Sequence, residues 1–133
     1  MRKFIMLLLL AMVSSGAAAE WVAMGSADSG DTYFDIYVDP TIHKSGNMVQ
    51  MWVMFDFKTV QVDEYGRQYL SDKAQHQYDC KDERSRTLYF TLHSGNMGHG
   101  NVVYLGDGIR NNWIPISSDS ISEGNWKIAC GKQ

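Results

Sequence analysis

The sequence predicts an α+β domain: an antiparallel β-sheet of about six strands with one C-terminal helix tethered to it by a disulfide. Three observations lead there. Two long runs carry apolar residues at every second position, the last segment switches to helical spacing, and a pair of cysteines follows an export signal.

The signal comes first in the chain. Arg2 and Lys3 precede an apolar run from Phe4 to Val13, and small residues from Ser14 to Ala19 precede Glu20. That is the order of a cleavable secretory signal, so residues 1–19 are set apart from the domain at 20–133. The run is shorter than the ~20 residues a helix needs to cross a bilayer, and no later stretch reaches that length, so no transmembrane helix is expected. The remainder has the length of one domain. Removing Arg2 and Lys3 removes no acidic residue, which makes the exported chain more negative than the −3 of the whole sequence. A nucleic-acid partner is excluded, because phosphate binding needs a positive stripe. The cleavage point has no cysteine to carry lipid, so the signal is not that of a lipoprotein. Exported chains hold disulfides, and Cys80 with Cys130 would close a loop worth roughly 4 kcal/mol in the chain-entropy model. The alternative is two free buried thiols.

The elements follow in order. Trp21 to Met24 is a short strand. Thr32 to Val38 places Thr32, Phe34, Ile36 and Val38 on one face and Tyr33, Asp35 and Tyr37 on the other, and stops at Asp39-Pro40. After a turn at Lys44 to Asn47, Met48 to Phe57 holds the same phase: Val49, Met51, Val53, Phe55 and Phe57 oppose Met48, Gln50, Trp52, Met54 and Asp56. Tyr69 to Cys80 puts Leu70, Ala74, Tyr78 and Cys80 together, interrupted by Asp72 and His76. Arg86 to His93 places Arg86, Leu88, Phe90 and Leu92 on one side and Tyr89, Thr91 and His93 on the other, and Val102 to Leu105 is a last short strand. Ser120 and Glu123 have capping-box spacing, Ile121, Asn125, Ile128 and Ala129 share a helical face, and Gly131 stands where a helix stops. A short helix over about 120–130 follows, and which sheet face it covers is left open.

The ordered set of motifs carries a resemblance. Trp21, "VDPTI" from Val38, "MVQMWVMFDF" around Trp52, "SDKAQHQYDC" from Ser71 to Cys80, Arg84 and Arg86, "GNMGHGNVV" from Gly95, "WIPI" from Trp113 and a terminal "AC" together resemble the surface-adhesin protein E family of Gram-negative bacteria. The resemblance implies a six-stranded antiparallel sheet with a C-terminal helix held by the disulfide. It also implies a non-enzymatic protein that binds host extracellular-matrix and serum proteins such as vitronectin, laminin and plasminogen. The best-known member is a lipoprotein, whereas this signal lacks the lipid-bearing cysteine. The location implied is therefore the periplasm or the cell surface.

No reactive constellation competes strongly. Met48, Met51 and Met54 suggest soft copper ligands, yet a period of two turns Met51 away and leaves the outer pair ~20 Å apart. His43, His76, His93 and His99 lack zinc-type spacing, so no metal or cofactor is assigned. The glycines of "GNMGHG" precede a strand and not a helix, which favours a turn over a phosphate cradle. Asp35 and Asp39 stand ~13 Å apart along a strand, too far for a glycosidase pair. No Gly-x-Ser-x-Gly elbow is present, and no enzyme is expected.

Recognition is the better reading. Tyr33, Tyr37, Trp52, Tyr89 and His93 fall on phases opposite the apolar rows and form a candidate binding face, unless the helix covers them. Arg84 and Arg86 form a candidate basic spot for acidic or sulfated partners, or pair with Asp79, Asp82 or Glu83. Two functions are carried forward: an exported adhesin-like module that binds a protein, and a periplasmic accessory protein on the same scaffold, such as an inhibitor or envelope-stress factor. Open sheet edges leave a homodimer open as well.

Overall fold

The computed structural model describes residues 20–107 and 112–132; the expected signal at 1–19 lies outside them. The strands are β1 (Val22–Asp28), β2 (Tyr33–Val38), β3 (His43–Ser45), β4 (Met48–Val62), β5 (Gln68–Asp79), β6 (Arg84–His93), β7 (Val102–Asp107) and β8 (Ile114–Pro115), followed by one helix, α1 (Ile121–Ala129). Six strands run antiparallel in the order β1-β2-β4-β5-β6-β7, curled into a half-barrel, with β3 added to β4 and β8 to β6. β1–β2, β4–β5 and β5–β6 are joined by short turns, whereas the β2–β4 connection carries β3 and the β6–β7 connection carries a 3-10 turn at Asn96–Gly98.

The predicted alternation sets the two faces. Ile36 and Val38 on β2, Val49, Met51 and Val53 on β4, and Tyr78 on β5 are buried together, and α1 adds Trp126 and Ala129 to them. The helix therefore packs on the apolar rows and leaves the Trp52 side of the sheet to itself. The face of α1 differs from the helical row expected. Trp126 and Ala129 point inward with Asn125, while Ile121 and Ile128 are more than a third exposed. The Trp126 indole N–H donates to the Asp79 carbonyl at 3.0 Å, so the largest side chain of the helix is fixed to the end of β5. Burying an indole of this kind contributes on the order of 4 kcal/mol.

The ends of α1 follow the expected chemistry. Ser120 Oγ accepts from the Glu123 N–H at 3.1 Å, and Glu123 Oε1 accepts from the Asp119 N–H at 3.0 Å. At the other end the N–H groups of Gly131 and Lys132 donate to the carbonyls of Ile128 and Lys127, a Schellman arrangement that needs the left-handed φ of 68° at Gly131. Cys80 and Cys130 are bonded across a sequence separation of 50, which pins the last turn of α1 beside the end of β5.

One phase assignment is corrected. Gln75 pairs with Tyr89 but His76 pairs with Thr87, so Leu88 is an extra residue in β6. This bulge reverses the alternation towards the start of the strand. Arg86 pairs with Gln77 and Arg84 with Asp79, on the Trp52 side and not beside Phe90 and Leu92 as an unbroken period of two predicts.

Candidate functional site

The Trp52 side carries most of the aromatic residues singled out above. Trp52, Gln75 and Tyr89 lie directly opposite one another across β4, β5 and β6, and the Trp52 and Tyr89 rings meet edge to face at 5.1 Å. Tyr37 pairs with Met54, one step diagonal from Trp52 on the same face. Tyr33 is exposed near the β2 end, 5.9 Å from the Lys58 ammonium. That ammonium also pairs with Asp35 at 3.0 Å, and the Ser26 hydroxyl donates to Asp35 as well. The Ser26 bond first, and Lys58 second, hold the Asp35 carboxyl below its ordinary range.

His93 is placed differently, because it is buried. The segment 94–101, with a 3-10 turn at Asn96–Gly98, folds back over this end of the sheet. Its Met97 N–H donates to Asp56, and its Gly98 N–H donates to the Ser71 hydroxyl, which in turn donates to the Gly95 carbonyl. His93 Nε2 meets the Thr91 hydroxyl at 2.8 Å, while Nδ1 has no partner among the described residues. Burial, then the nearby charges of Lys73 and His99, hold its imidazole below the usual value. The structure thus joins Tyr37, Trp52 and Tyr89, leaves Tyr33 at one end, and covers His93.

Arg84 and Arg86 stand beside that aromatic group. The Arg84 ε-nitrogen donates to Asp79 at 2.9 Å, and that of Arg86 donates to Gln77 at 2.8 Å. Asp79 is buried, and its carboxyl is held low by the Asp82 N–H first, with help from Arg84 and the Lys81 N–H. Both guanidinium groups lie over the Trp113 ring, at 4.4 and 4.5 Å from its centroid. Trp113 was not among the candidate residues, although it opens the "WIPI" motif, and β8 brings it here by pairing with the start of β6.

A second candidate site, missed by the sequence reading, lies on the α1 side beyond the reach of the helix. Val53, Phe55, Asp72, Ala74, His76, Thr87 and Phe90 line a cavity of about 270 Å³. A larger one of about 580 Å³ adjoins it, shares Asp72 and Phe90, and extends to Tyr69, Leu92, Tyr104 and the β4–β5 turn. Gly106 on β7 makes this groove, since a Cβ there would overlap the edge of the Phe90 ring. Burial pushes the Asp72 carboxyl up from 3.8 to about 7, against a backbone hydrogen bond from Phe55 that works the other way. Burial also pushes the His76 imidazole down to about 4, and its Nδ1 lies 3.2 Å from the Thr87 hydroxyl. At the mouth, Arg67 pairs with Asp63 at 2.6 Å and lies over the rings of Tyr104 and Tyr65, at 4.0 and 4.9 Å. The signal for this site was present in the sequence as the two polar interruptions, Asp72 and His76, in an otherwise apolar row.

Among the described residues no three His, Cys, Asp or Glu side chains gather as a metal site, and no helix is long and apolar enough to cross a membrane. A curled antiparallel sheet, one helix stapled to it by a disulfide, an aromatic face and an apolar groove make up the described α+β domain. The family model for surface-adhesin protein E matches residues 21–131, and the chain belongs to that family of adhesin-like modules. No curated protein matches the chain.

Proposed function

We propose that this chain is an exported, non-enzymatic binding module of a Gram-negative bacterium that, after loss of residues 1–19 and displayed at the cell surface, contacts host extracellular-matrix or serum proteins. The observation that carries the reading is the placement of α1 on the apolar rows, which leaves Tyr37, Trp52 and Tyr89 uncovered by the helix and adjacent to the Arg84–Trp113–Arg86 stack. Half-buried aromatic rings beside arginine are the composition that protein interfaces favour. Family membership supports the same reading.

The test is direct binding of residues 20–133 to immobilised vitronectin, laminin and plasminogen by biolayer interferometry. At least one should bind, and Trp52→Ala and Tyr89→Ala should each weaken it tenfold or more while the melting curve shows a folded domain. Binding to none of the three, or equal binding by folded variants, would refute the proposal. Protease shaving of intact cells decides display: release of peptides from 20–133 supports it, and full protection with recovery of the protein in an osmotic-shock fraction refutes contact with host proteins and redirects the search to periplasmic partners.

A further inference from the structure

We propose that the groove on the α1 side is a docking site for a basic, apolar segment of a partner polypeptide, with a lysine or arginine of the segment against Asp72 and its apolar neighbours against Phe55 and Phe90. The inference rests on the reading of the chain as a protein-binding module and adds a second surface, on the opposite face from Trp52, with its own chemistry.

Charge complementarity selects the occupant. The floor of the groove is apolar except for Asp72, His76 and the Thr87 hydroxyl that meets His76, and Asp72 has no ion-pair partner among the described residues. A carboxylate among phenylalanine rings is unfavourable unless it binds a proton or meets a cation. The rim adds Asp63, Glu64 and Asp107, against Arg67 as the one basic side chain lining the site. Acidic segments are therefore repelled, and a purely apolar segment would leave Asp72 stranded. Arg67 already shows how a cation sits here, stacked on Tyr104 and Tyr65 and bonded to an aspartate. A cavity of about 580 Å³ is the size of a site that takes a few side chains.

The protonation behaviour of the groove agrees. Near neutral pH Asp72 is close to half-protonated, and a docked ammonium or guanidinium favours the ionised form. The groups facing it are His76 and Tyr69 on β5, Tyr104 and Asp107 on β7, and Asp63, Glu64 and Arg67 from the β4–β5 turn. His76 stays neutral above its lowered pKa and contributes no competing charge.

The experiment uses residues 20–133 and three acetylated, amidated pentapeptides: leucine-lysine-phenylalanine-lysine-leucine, and the same peptide with norleucine or glutamate for both lysines. Binding is followed by amide chemical shifts at pH 8 and pH 5.5. The lysine peptide should shift the amides of Asp72, Ala74, Phe90 and Gly106, bind at least tenfold tighter than the other two, and bind more tightly at pH 8. Asp72→Asn should remove at least tenfold of the affinity together with its pH dependence, while Asp82→Asn, in the exposed turn after β5, should change neither. Gly106→Ala, which drives the Phe90 ring into the groove, should weaken binding independently. Equal binding by the three peptides, shifts confined to the Trp52 face, or an Asp72→Asn variant that folds and binds as before overturns the inference. So do groove shifts that depend on protein concentration without peptide, since a second copy then fills the site. Matrix-protein binding that survives Asp72→Asn in a chain that ignores the lysine peptide sinks the groove and spares the Trp52 face; peptide binding without any matrix-protein binding does the reverse.

Discussion

Asp72 and His76 should give the domain two opposing pH dependences that largely cancel, and single substitutions should unmask each. The two residues share a face of β5, separated by Ala74. The Asp72 carboxyl rises from 3.8 to about 7 on folding. Between those values the native state keeps a proton that the unfolded chain has lost, so stability falls as pH rises, by on the order of 4 kcal/mol across the window. The His76 imidazole drops from 6.5 to about 4. There the unfolded chain binds the extra proton, so stability falls as pH drops, by on the order of 3 kcal/mol. Over the shared part of the range both groups are uncharged in the native state, so neither perturbs the other. Urea unfolding followed by tryptophan fluorescence at pH 4.5, 5.5, 6.5 and 8 checks this. Asp72→Asn should become more stable by a few kcal/mol between pH 4.5 and 6.5, stay level above that, and exceed the wild type at pH 8. His76→Gln should lose a few kcal/mol as pH rises over the same interval. An Asp72→Asn profile parallel to the wild type would refute the burial argument for that carboxyl.

Replacing both cysteines, Cys80→Ala with Cys130→Ala, opens a loop of sequence separation 50 and should cost about 4 kcal/mol, which for a domain of roughly 110 residues lowers Tm by about 15 °C in calorimetry; superposed melting curves would remove the disulfide from the account of stability. Trp126→Phe keeps most of the buried area but leaves the Asp79 carbonyl without its indole donor, for an expected loss of about 1 to 3 kcal/mol, and Trp126→Ala should lose about 3 to 5 kcal/mol in the same urea assay. Gly106→Ala should destabilise by about 1 to 3 kcal/mol through overlap with Phe90, a result that an unchanged urea midpoint would contradict. Ser120→Ala should cost about 1 kcal/mol by removing the oxygen that accepts from Glu123, with helix content at 222 nm falling first.

The parts of this fold legible in the sequence are those set by local periodicity. β2 and β4 alternate so regularly that their buried rows, Ile36 and Val38 with Val49, Met51 and Val53, could be read directly. The cap at Ser120, the stop at Gly131 and the Cys80–Cys130 tether were also readable, because each depends on residue type at one or two positions. β6 was misread where a period of two fails: every residue from Arg84 to Thr91 is half-buried, so no contrast in polarity marks Leu88 as the extra one. The inward turn of Trp126 was missed because Ile121 and Ile128 offer an equally apolar stripe. What decides between them is the Asp79 carbonyl, 47 residues away in sequence, and no helical pattern reports such a partner.

The candidate sites divide by the same cause. Trp52 and Tyr89 were placed on one face by counting alternate positions, and the sheet register makes them touch. His93 was counted onto that face too, but its cover comes from the Asn96–Gly98 turn folding back onto Asp56 and Ser71, a contact between distant segments. The groove is the more instructive miss. In the sequence Asp72 and His76 read only as interruptions of an apolar row. A helix of nine residues is too short to cover the whole face of a curled six-stranded sheet, so the row runs out past α1 into an open cavity. Polar residues at the uncovered end of a buried row are thus compatible with the fold without contributing to its core. Their burial costs free energy that packing does not return at that point, and a ligand able to meet Asp72 with a positive charge would recover it.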